Sequence, residues 1–501
     1  MSTQLENARA EEKRISEKTA ADKELRSQRP VFHFASPAGW INDPNGFSFF
    51  KGTCHLFFQY HPYGIHWGPM HWGHATTNDF ISWQNEPAVL APDTEADDKG
   101  CFSGTAVEAD GKHIIAYTGV SEKDGTNVQN QCIAVGDGKT YMKFSCNPVI
   151  TADDIPFEYD VRDFRDPKLW YENGIYYLAA VLKAADKSGA LVLFSSLNLE
   201  KWTFVSTIDA SRGGLGKMWE CPDIFKLGGH DIILLSLQGI AADRKGYFHN
   251  GNNSVYMSGI IEPDTRTFIR SLRPENGLDA ALLDYGIDFY APETTLAPDG
   301  RRIMIAWMHN WEAYSTPDEY VWSGMMTVPR ELVFKDGWLY QNPVREIADY
   351  YGQKNSGKRC TLSGRSTYQG VSGRHLDLSI RMRESDNACA RSITIKFAAD
   401  ETHCVLLAYN FSAHTLTFDR TFCGYCHDIL SVRTMNIPRD ESGVIELRCL
   451  LDTCSLEVFI NGGKYAFTNT FYSPQNADNI IFESDGTVIF DYACCRIKRK
   501  K

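Results

Sequence analysis

The sequence predicts an all-β protein, a five-bladed β-propeller followed by a C-terminal β-sandwich. Five segments between Asn42 and Trp311 repeat one plan: a polar motif, a short strand, a turn with glycine and a second strand. From about Cys360 onward, apolar and polar residues alternate with the period of two that strands require. Helix-forming Ala, Glu and Lys dominate only the N-terminal segment.

The N-terminal segment, residues 1–28, is charged and is expected to form a solvated helix or a frayed tail. It lacks the apolar core of a signal peptide, and the chain contains no apolar run of about 18 residues that would predict a membrane span. These features predict a cytoplasmic protein whose 14 cysteines are reduced thiols. The net charge of -12 argues against nucleic acid or an anionic membrane as partner.

The repeat is visible in five segments of similar length. They read NDPNGFSFFKGTCHLFFQY, FSGTAVEADGKHIIAYTG, RDPKLWYENGIYYLAAV, ECPDIFKLGGHDIILLSLQG and APETTLAPDGRRIMIAWMHNW, and begin at Asn42, Phe102, Arg165, Glu220 and Ala291. In each, the turn glycine follows the motif after eight or nine residues. Hairpins with glycine turns recur by chance in many β-proteins, but five in one register favour the five blades of a propeller.

A propeller places equivalent positions of its blades around one central channel. The repeat therefore predicts that four residues distant in sequence lie together there: Asp43, Ser103, Asp166 and Glu220. We expect the propeller to span residues 29–340. A connecting segment with a short helix should follow over 341–359, and the sandwich over 360–501.

Four motifs of the repeat place an acid beside or near proline: Asp43, Asp166, Glu220 and Glu293. Proline fixes the local chain and so holds a carboxyl rigidly. Two carboxylates across a polar, aromatic pocket are typical of glycoside hydrolysis, in which one attacks the sugar and the other protonates the leaving oxygen. Crowding raises the pKa of at least one of them, while Arg165 is expected to help its neighbour Asp166 stay ionised.

Several blocks, in this order, resemble the signatures of glycoside hydrolase family 32, the invertase and β-fructofuranosidase family. They are WINDPNG, FSG, FRDP, WECPD, DFYAPE and WSGMMTVPREL, and the later SLEVFINGG resembles the family's C-terminal sandwich. The resemblance implies that Asp43 is the nucleophile, Glu220 the general acid/base and Asp166 the transition-state stabiliser. It implies a substrate pocket formed by Asn42, Gln59, Trp67, Phe102, Ser103, Arg165, Tyr290 and Trp311.

The resemblance also implies a retaining mechanism without metal or cofactor, in which the two reacting carboxyls lie about 5–5.5 Å apart. Its implied substrate is a small sugar with a terminal β-fructosyl unit: sucrose, sucrose-6-phosphate or a short fructo-oligosaccharide. One residue departs from the family pattern. Glu293 stands where many relatives carry Gln, and this change either alters the acceptor side of the pocket or is neutral. The state of oligomerisation stays open, since exposed faces of a sandwich often form interfaces.

The same sequence features are compatible with other functions. A fructosyltransferase would differ only in using a sugar hydroxyl as acceptor, and a non-catalytic fructan-binding protein would not need the intact trio Asp43, Asp166 and Glu220. The stretch HPYGIHWGPMHWGH invites a metal site at His61, His66, His71 and His74, but its Gly and Pro residues give the four imidazoles no common face.

The cysteines raise three further questions. CGYCH at Cys423 matches a haem-attachment pattern, and Cys423, Cys426, Cys449 and Cys454 have the paired spacing of a zinc site. Burial as small apolar side chains is the favoured account of these four. Cys221 is next to Glu220, and we hypothesise that its thiol tunes the proton affinity of that acid.

Overall fold

The computed structural model describes residues 2–211, 214–242, 247–271, 279–312, 316–384, 390–425, 430–440 and 442–498. Apart from two N-terminal helices and two short 3₁₀ helices, at Ala152–Asp154 and Arg345–Tyr350, its regular elements are strands. None of the helices in these ranges is long and apolar enough to cross a membrane.

The N-terminal segment forms α1 (Thr3–Ala21) and α2 (Lys23–Ser27). Helix α1 lies against the outermost strand of the first blade, where Arg9 Nε donates a hydrogen bond of 2.8 Å to the carbonyl of Ala88. Its buried side chains are Leu5, Ala8 and Glu12. The expected solvated helix or frayed tail was therefore wrong in part, because one face of α1 covers the edge of a sheet that would otherwise expose unpaired backbone groups.

Five sheets of mainly four antiparallel strands confirm the propeller. The first blade contains β1–β4: Gly39–Phe50, Thr53–His61, His71–Thr77 and Gln84–Leu90. The second contains β5–β8: Gly100–Ala109, Lys112–Lys123, Thr126–Gly136 and Tyr141–Lys143. The third contains β9–β12: Tyr159–Glu172, Ile175–Ala184, Gly189–Ser196 and Thr203–Ala210.

The fourth blade contains β13–β17: Met218–Leu227, His230–Ile240, Gly251–Ile261, Phe268–Arg270 and Ala281–Leu282. The fifth contains β18, β19, β21 and β22: Tyr290–Leu296, Arg302–Trp307, Arg330–Lys335 and Trp338–Pro343. Between them in sequence, β20 (Trp322–Ser323) leaves the fifth blade and pairs in parallel with the start of β1. This pairing ties the last blade to the first and closes the ring.

Apolar faces of neighbouring blades pack against each other. One buried cluster joins Ile114 and Ile133 of the second blade to Leu178 and Val192 of the third. Central strands such as β10 are covered on both faces, which explains their near-continuous apolar sequence. The innermost strands β1, β5, β9, β13 and β18 are thereby held around the central channel.

The C-terminal strands form a sandwich-like sheet, as predicted. They are β23–β32: Tyr351–Ser366, Leu376–Glu384, Ser392–Ala399, Val405–Asn410, Thr415–Asp419, Val432–Asn436, Ile445–Asp452, Ser455–Ile460, Tyr465–Thr470 and Asn479–Ile497. Strand β32 joins the two halves, since its first part pairs with β25 and its second part with β24.

The connection between propeller and sandwich is shorter than predicted. Strand β22 ends at Pro343 and β23 begins at Tyr351, so residues 344–350 replace the expected linker over 341–359. Strand β23 is polar and contains three glycines, which gives it no alternating apolar pattern. It forms because it pairs along the length of β32.

Buried ion pairs fasten the sandwich to the propeller. Arg330 of β21 donates to Asp284 Oδ2 over 3.0 Å and to Glu457 Oε2 over 2.5 Å. His33 lies 2.8 Å from both Asp452 Oδ2 and Glu457 Oε1. Burial alone would lower the pKa of His33, but these two carboxylates raise it to about 9. The imidazole is therefore positively charged at neutral pH and neutralises part of the negative charge of these two carboxylates at the contact between propeller and sandwich.

Candidate active site

A cavity of about 470 Å³ lies at the centre of the propeller, among the innermost strands of its blades. The three residues predicted to be catalytic, Asp43, Asp166 and Glu220, line this cavity. Seven of the predicted substrate-binding residues line it too: Asn42, Gln59, Trp67, Phe102, Ser103, Arg165 and Trp311. The eighth, Tyr290, is buried beside the cavity and reaches Glu220 through its hydroxyl.

Sequence reasoning missed five residues that complete the lining: Met70, Gln129, Asp163, Gln238 and Asn252. Gln238 and Asn252 lie on the second and third strands of the fourth blade, outside the motif that the repeat singles out. Of these five, Asp163 is the residue that the sequence could have indicated as part of the site, because it precedes the FRDP motif on the same strand as Asp166.

The backbone of the inner strands presents these side chains through β-bulges. In three blades a pair of residues opposes one residue of the next strand: Asp166-Pro167, Cys221-Pro222 and Ala291-Pro292. The first residue of each pair has a left-handed φ, of 60°, 48° and 51° respectively. Such bulges re-aim side chains, and the following proline fixes the chain beyond them.

The bulges also refine the predicted register. The residue preceding each bulge is Arg165, Glu220 or Tyr290. Glu220 is thus equivalent to Arg165, whereas Cys221 is the equivalent of Asp166. The sequence repeat had aligned Glu220 itself with Asp166, an error of one residue. These three equivalent side chains meet at one place in the channel.

Glu220 is held by its two equivalents from the neighbouring blades. Arg165 Nε donates to Glu220 Oε1 over 3.0 Å, and the Tyr290 hydroxyl donates to Oε2 over 2.7 Å. The same guanidinium donates through Nη1 to Asp163 Oδ1 over 2.7 Å. Each oxygen of Glu220 therefore has a fixed donor, which orients the carboxyl toward the cavity.

Asp43 lies in a bulge of β1, where Asn42 and Asp43 oppose Gln59. Its Oδ2 accepts a hydrogen bond of 2.5 Å from Ser103 and lies 3.5 Å from the sulfur of Cys221. Its Oδ1 has no hydrogen-bond partner among the described residues. Burial raises the pKa of Asp43 to about 6, with a further contribution from Glu220.

Asp166 lies between these groups and is equally buried. Its Oδ2 accepts the backbone N–H of Cys221 over 2.9 Å, and its own N–H donates to Thr118 Oγ1 over 3.0 Å. Burial raises the pKa of Asp166, although Arg165 acts in the opposite direction. Arg165 does help Asp166 stay ionised, as expected, but the effect of burial on the pKa of Asp166 is larger. A crowded group of carboxyls therefore retains a proton near neutral pH.

Aromatic rings form opposite walls of the cavity. Trp311 stacks on Trp40 with ring centroids 5.8 Å apart, and Trp40 Nε1 donates to Asn42 Oδ1 over 2.8 Å. Trp67 is half exposed and meets the ring of Phe102 edge to face. Flat apolar surfaces of this kind suit the carbon-bound faces of a sugar ring.

Glu293 is not part of the cavity lining. It is buried in the channel, where its Oε2 accepts the backbone N–H of Phe47 over 3.1 Å. Because it does not line the cavity, it does not contact the acceptor side of the pocket directly, and the alternative that the change from Gln is neutral stays a prediction.

The histidine and cysteine clusters do not form a site among the described residues. His61 and His71 both approach the carbonyl of Pro69, whereas His74 stacks on Phe57. No three His, Cys, Asp or Glu side chains in the described ranges are grouped as metal ligands. Cys423, Cys449 and Cys454 are buried thiols, and Cys426 lies outside the described residues.

The chain is similar to known proteins over nearly its whole length. It is 34% identical over 471 residues to the sucrose-6-phosphate hydrolase of Escherichia coli, covering 92% of this chain and 93% of that protein. It is 33% identical to the raffinose invertase of Escherichia coli, covering 89% and 90%. The solved β-fructofuranosidase of Bombyx mori superposes with a TM-score of 0.79 at 28% identity, covering 97% of this chain and 98% of that one.

Family models agree with these relatives. The N-terminal domain model of glycosyl hydrolases family 32 matches residues 33–343, and the C-terminal model of the same family matches residues 346–494. The sucrose-6-phosphate hydrolase of Lactobacillus gasseri gives a TM-score of 0.84 at 26% identity, covering 97% of this chain and 96% of that one. The five-bladed propeller, its central cluster of carboxyls and these matches together show that the chain belongs to glycoside hydrolase family 32.

Proposed function

We propose that this protein is a β-fructofuranosidase of the invertase type, which hydrolyses terminal non-reducing β-D-fructofuranosides with retention of configuration. Asp43 acts as the nucleophile, Glu220 as the general acid/base and Asp166 as a stabiliser of the transition state. The observation that carries this proposal is the shared cavity. In it, Asp43 presents an unpartnered oxygen and Glu220 is fixed by Arg165 and Tyr290.

In the first step, Asp43 Oδ1 attacks the anomeric carbon of the fructosyl unit. The glycosidic bond breaks, and its oxygen takes the proton of Glu220 as the leaving sugar departs. Ser103 already donates to Oδ2, so the oxygen without a hydrogen-bond partner among the described residues, Oδ1, is proposed as the attacking atom. The products of this step are a fructosyl ester on Asp43, an ionised Glu220 and the free aglycone.

In the second step, ionised Glu220 takes a proton from water as the water oxygen attacks the same carbon. The bond to Asp43 breaks, so the carboxylate is regenerated and Glu220 is again protonated. Asp166, anchored by the Cys221 N–H, is placed to accept hydrogen bonds from fructosyl hydroxyls in both steps. Such bonds strengthen as positive charge develops on the sugar ring.

The residues of the cavity lining that surround the proposed catalytic trio favour a neutral leaving group. Gln129, Asp163, Gln238 and Asn252 offer amide and carboxylate groups suited to sugar hydroxyls. The single cationic side chain among the described lining residues is Arg165, which is already engaged by Glu220 and Asp163. A phosphorylated leaving group would need a further cation. We therefore propose sucrose and short fructo-oligosaccharides as substrates in preference to sucrose-6-phosphate.

A panel of sucrose, sucrose-6-phosphate and 1-kestose, compared by kcat/KM, tests the substrate class. We expect the two neutral sugars to exceed the phosphorylated one, and a reversed order would overturn that preference. Proton NMR during sucrose turnover should show β-fructofuranose released first, because two inversions retain the configuration. Longer oligosaccharides as main products at high sucrose would instead indicate a transferase.

The role of Asp43 is tested with Asp43→Asn, which keeps the size and polarity of the side chain. We expect kcat to fall by about 10³-fold or more, since loss of a nucleophile costs on that order. An unchanged melting temperature would show that the variant is folded. Substantial turnover by the folded variant would refute the assignment.

A further inference from the structure

Next to the cavity, the channel of the propeller contains a second set of charged side chains that do not line the cavity. Lys168, Asp223 and Glu293 come from the third, fourth and fifth blades, and each immediately follows the bulge of its strand. Lys168 Nζ lies 2.8 Å from Asp223 Oδ1, and Asp223 Oδ2 accepts the N–H of Thr294 over 2.6 Å. Lys168 and Asp223 thus neutralise each other's charge. Glu293 is the remaining ionisable side chain of this set.

Glu293 supports the strand that carries Asp43. Strand β1 has a second bulge, in which Gly46 and Phe47 oppose Leu56. A bulged residue loses its place in the ladder, so its backbone N–H needs another acceptor when it is buried. Glu293 Oε2 supplies that acceptor to Phe47, over 3.1 Å. The contact lies four residues after Asp43, on the same strand and under the same cavity.

We propose that Glu293, in its neutral carboxylic acid form, is a positioning residue that fixes the β1 bulge beneath Asp43 and so holds the nucleophile in place. This inference rests on the proposed function of Asp43. It adds a residue that touches no substrate and acts through the backbone of β1.

The neutral form follows from the surroundings of Glu293. Its side chain is buried, and its Oε1 has no hydrogen-bond partner among the described residues, which an ionised carboxylate would not tolerate cheaply. The charged groups that face it are Lys168 of β9, Asp223 of β13 and Asp43 of β1. Burial raises the pKa of Glu293 to about 8; Lys168 opposes the rise, whereas Asp223 and Asp43 add to it. At neutral pH a neutral Glu293 therefore adds no negative charge to that of Asp223, which Lys168 balances.

Glu293→Gln and Glu293→Leu separate the two halves of the proposal. The Gln variant keeps a neutral acceptor for the Phe47 N–H, so we expect its kcat on sucrose at pH 7 to stay within about twofold of the wild type. The Leu variant has no acceptor, so the bulge relaxes. A displacement of a catalytic group by about 1 Å lowers the rate of reaction by up to about 10²-fold. We therefore expect kcat to fall by about 10- to 100-fold with KM nearly unchanged.

A matched control is Glu108→Leu. Glu108 Oε2 accepts the N–H of Lys51 over 3.0 Å, another backbone donor of the first blade, but at the exposed end of the hairpin. This control should leave kcat unchanged. A folded Glu293→Leu variant with wild-type kcat would overturn the positioning role.

The pH profile and infrared spectra test the neutral form independently. If Glu293 were ionised, Glu293→Gln would remove a negative neighbour, lower the pKa of Asp43 and move the acid limb of kcat/KM to lower pH. We expect no such movement, and a shift of half a unit would overturn the proposal. The wild-type minus Glu293→Gln infrared difference at pH 7 should contain the carbonyl stretch of a protonated carboxyl, and its absence would also overturn it. Lack of wild-type turnover on sucrose would instead refute the proposed function, and the infrared result would still decide the state of Glu293.

Discussion

Ser103 Oγ donates a hydrogen bond of 2.5 Å to Asp43 Oδ2, so a side chain of the second blade fixes the carboxyl that the first blade presents. The bond stabilises the ionised form of Asp43 and restrains its rotation. The two residues are 60 positions apart in the sequence, so this contact forms only between blades. The reactive group is thus completed only when the blades assemble.

Ser103→Ala should move the acid limb of the kcat/KM profile to higher pH. Burial raises the pKa of Asp43 to about 6, and the Ser103 hydrogen bond holds it below what burial alone would give. A hydrogen bond to a charged group contributes about 1.5 kcal/mol or more, which corresponds to about one pH unit. Ser196→Ala, which removes a buried hydroxyl of the third blade that accepts the N–H of Leu199, should leave the limb in place. An unmoved limb in Ser103→Ala would contradict this prediction.

Tyr290→Phe should lower kcat by about tenfold while KM changes little. The hydroxyl of Tyr290 is the donor that orients Glu220 Oε2, at 2.7 Å, and Phe preserves the packing of the ring. A loss on the order of 1.4 kcal/mol of transition-state stabilisation gives that factor. Tyr141→Phe removes a buried hydroxyl that contacts His113 instead, and should not affect turnover. Equal losses in both variants would show that the effect is not specific to Glu220.

Cys221→Ala should have a small effect of the same sign as Ser103→Ala. The sulfur is 3.5 Å from Asp43 Oδ2 and 3.7 Å from Asp166 Oδ2, and a thiol is a weak donor. Alanine tolerates the left-handed φ here, as Ala291 shows at the equivalent position. We expect the acid limb to rise by less than in Ser103→Ala. A shift of the basic limb alone would instead favour our first hypothesis, that the thiol acts on Glu220.

Stability should fall at alkaline pH because of His33. Its carboxylate partners raise the folded-state pKa to about 9, above the unfolded value of about 6.5. The stabilisation is therefore complete below about pH 6.5 and is lost as the pH rises through 9. The melting temperature, followed from pH 6 to pH 10, should decline over this window more steeply in the wild type than in His33→Leu.

At neutral pH, His33→Leu should lower the free energy of unfolding by about 3–5 kcal/mol, since it leaves buried carboxylates without their cation. His230→Gln, at an exposed turn, is the control and should change it little. If His33→Leu left the free energy of unfolding unchanged, Arg330 alone would balance the buried carboxylates between propeller and sandwich.

The fold class was predictable because glycine turns and motifs recur at fixed spacing, and the structure confirms the five blades. The limits of the prediction have physical causes. The polar strand β23 has no apolar alternation, so its partner β32 could not be foreseen. Helix α1 looked solvated because its buried face consists of few residues, one of them Glu12.

Residues of the candidate site that lie within a sequence motif were predictable. Residues that enter the site from strands outside those motifs were not. Gln238 and Asn252 enter the cavity only through the folding of the fourth blade. The buried position of Glu293 depends on the bulge at Phe47, which no local pattern of the sequence announces. Its carboxyl therefore looked like a residue of the pocket.

The left-handed bulges have a consequence for protein engineering. In the fourth and fifth blades they separate two tasks, because Cys221 and Ala291 shape the backbone while the preceding Glu220 and Tyr290 face their counterparts in the channel, whereas Asp166 of the third blade does both. Libraries at Cys221 and Ala291 should be restricted to side chains that accept positive φ, since β-branched residues are strongly disfavoured there. Variation aimed at new substrates belongs instead at surrounding wall positions such as Gln129, Gln238 and Asn252. The bulges are thus the fixed part of the propeller, and the wall positions are the part that can be varied.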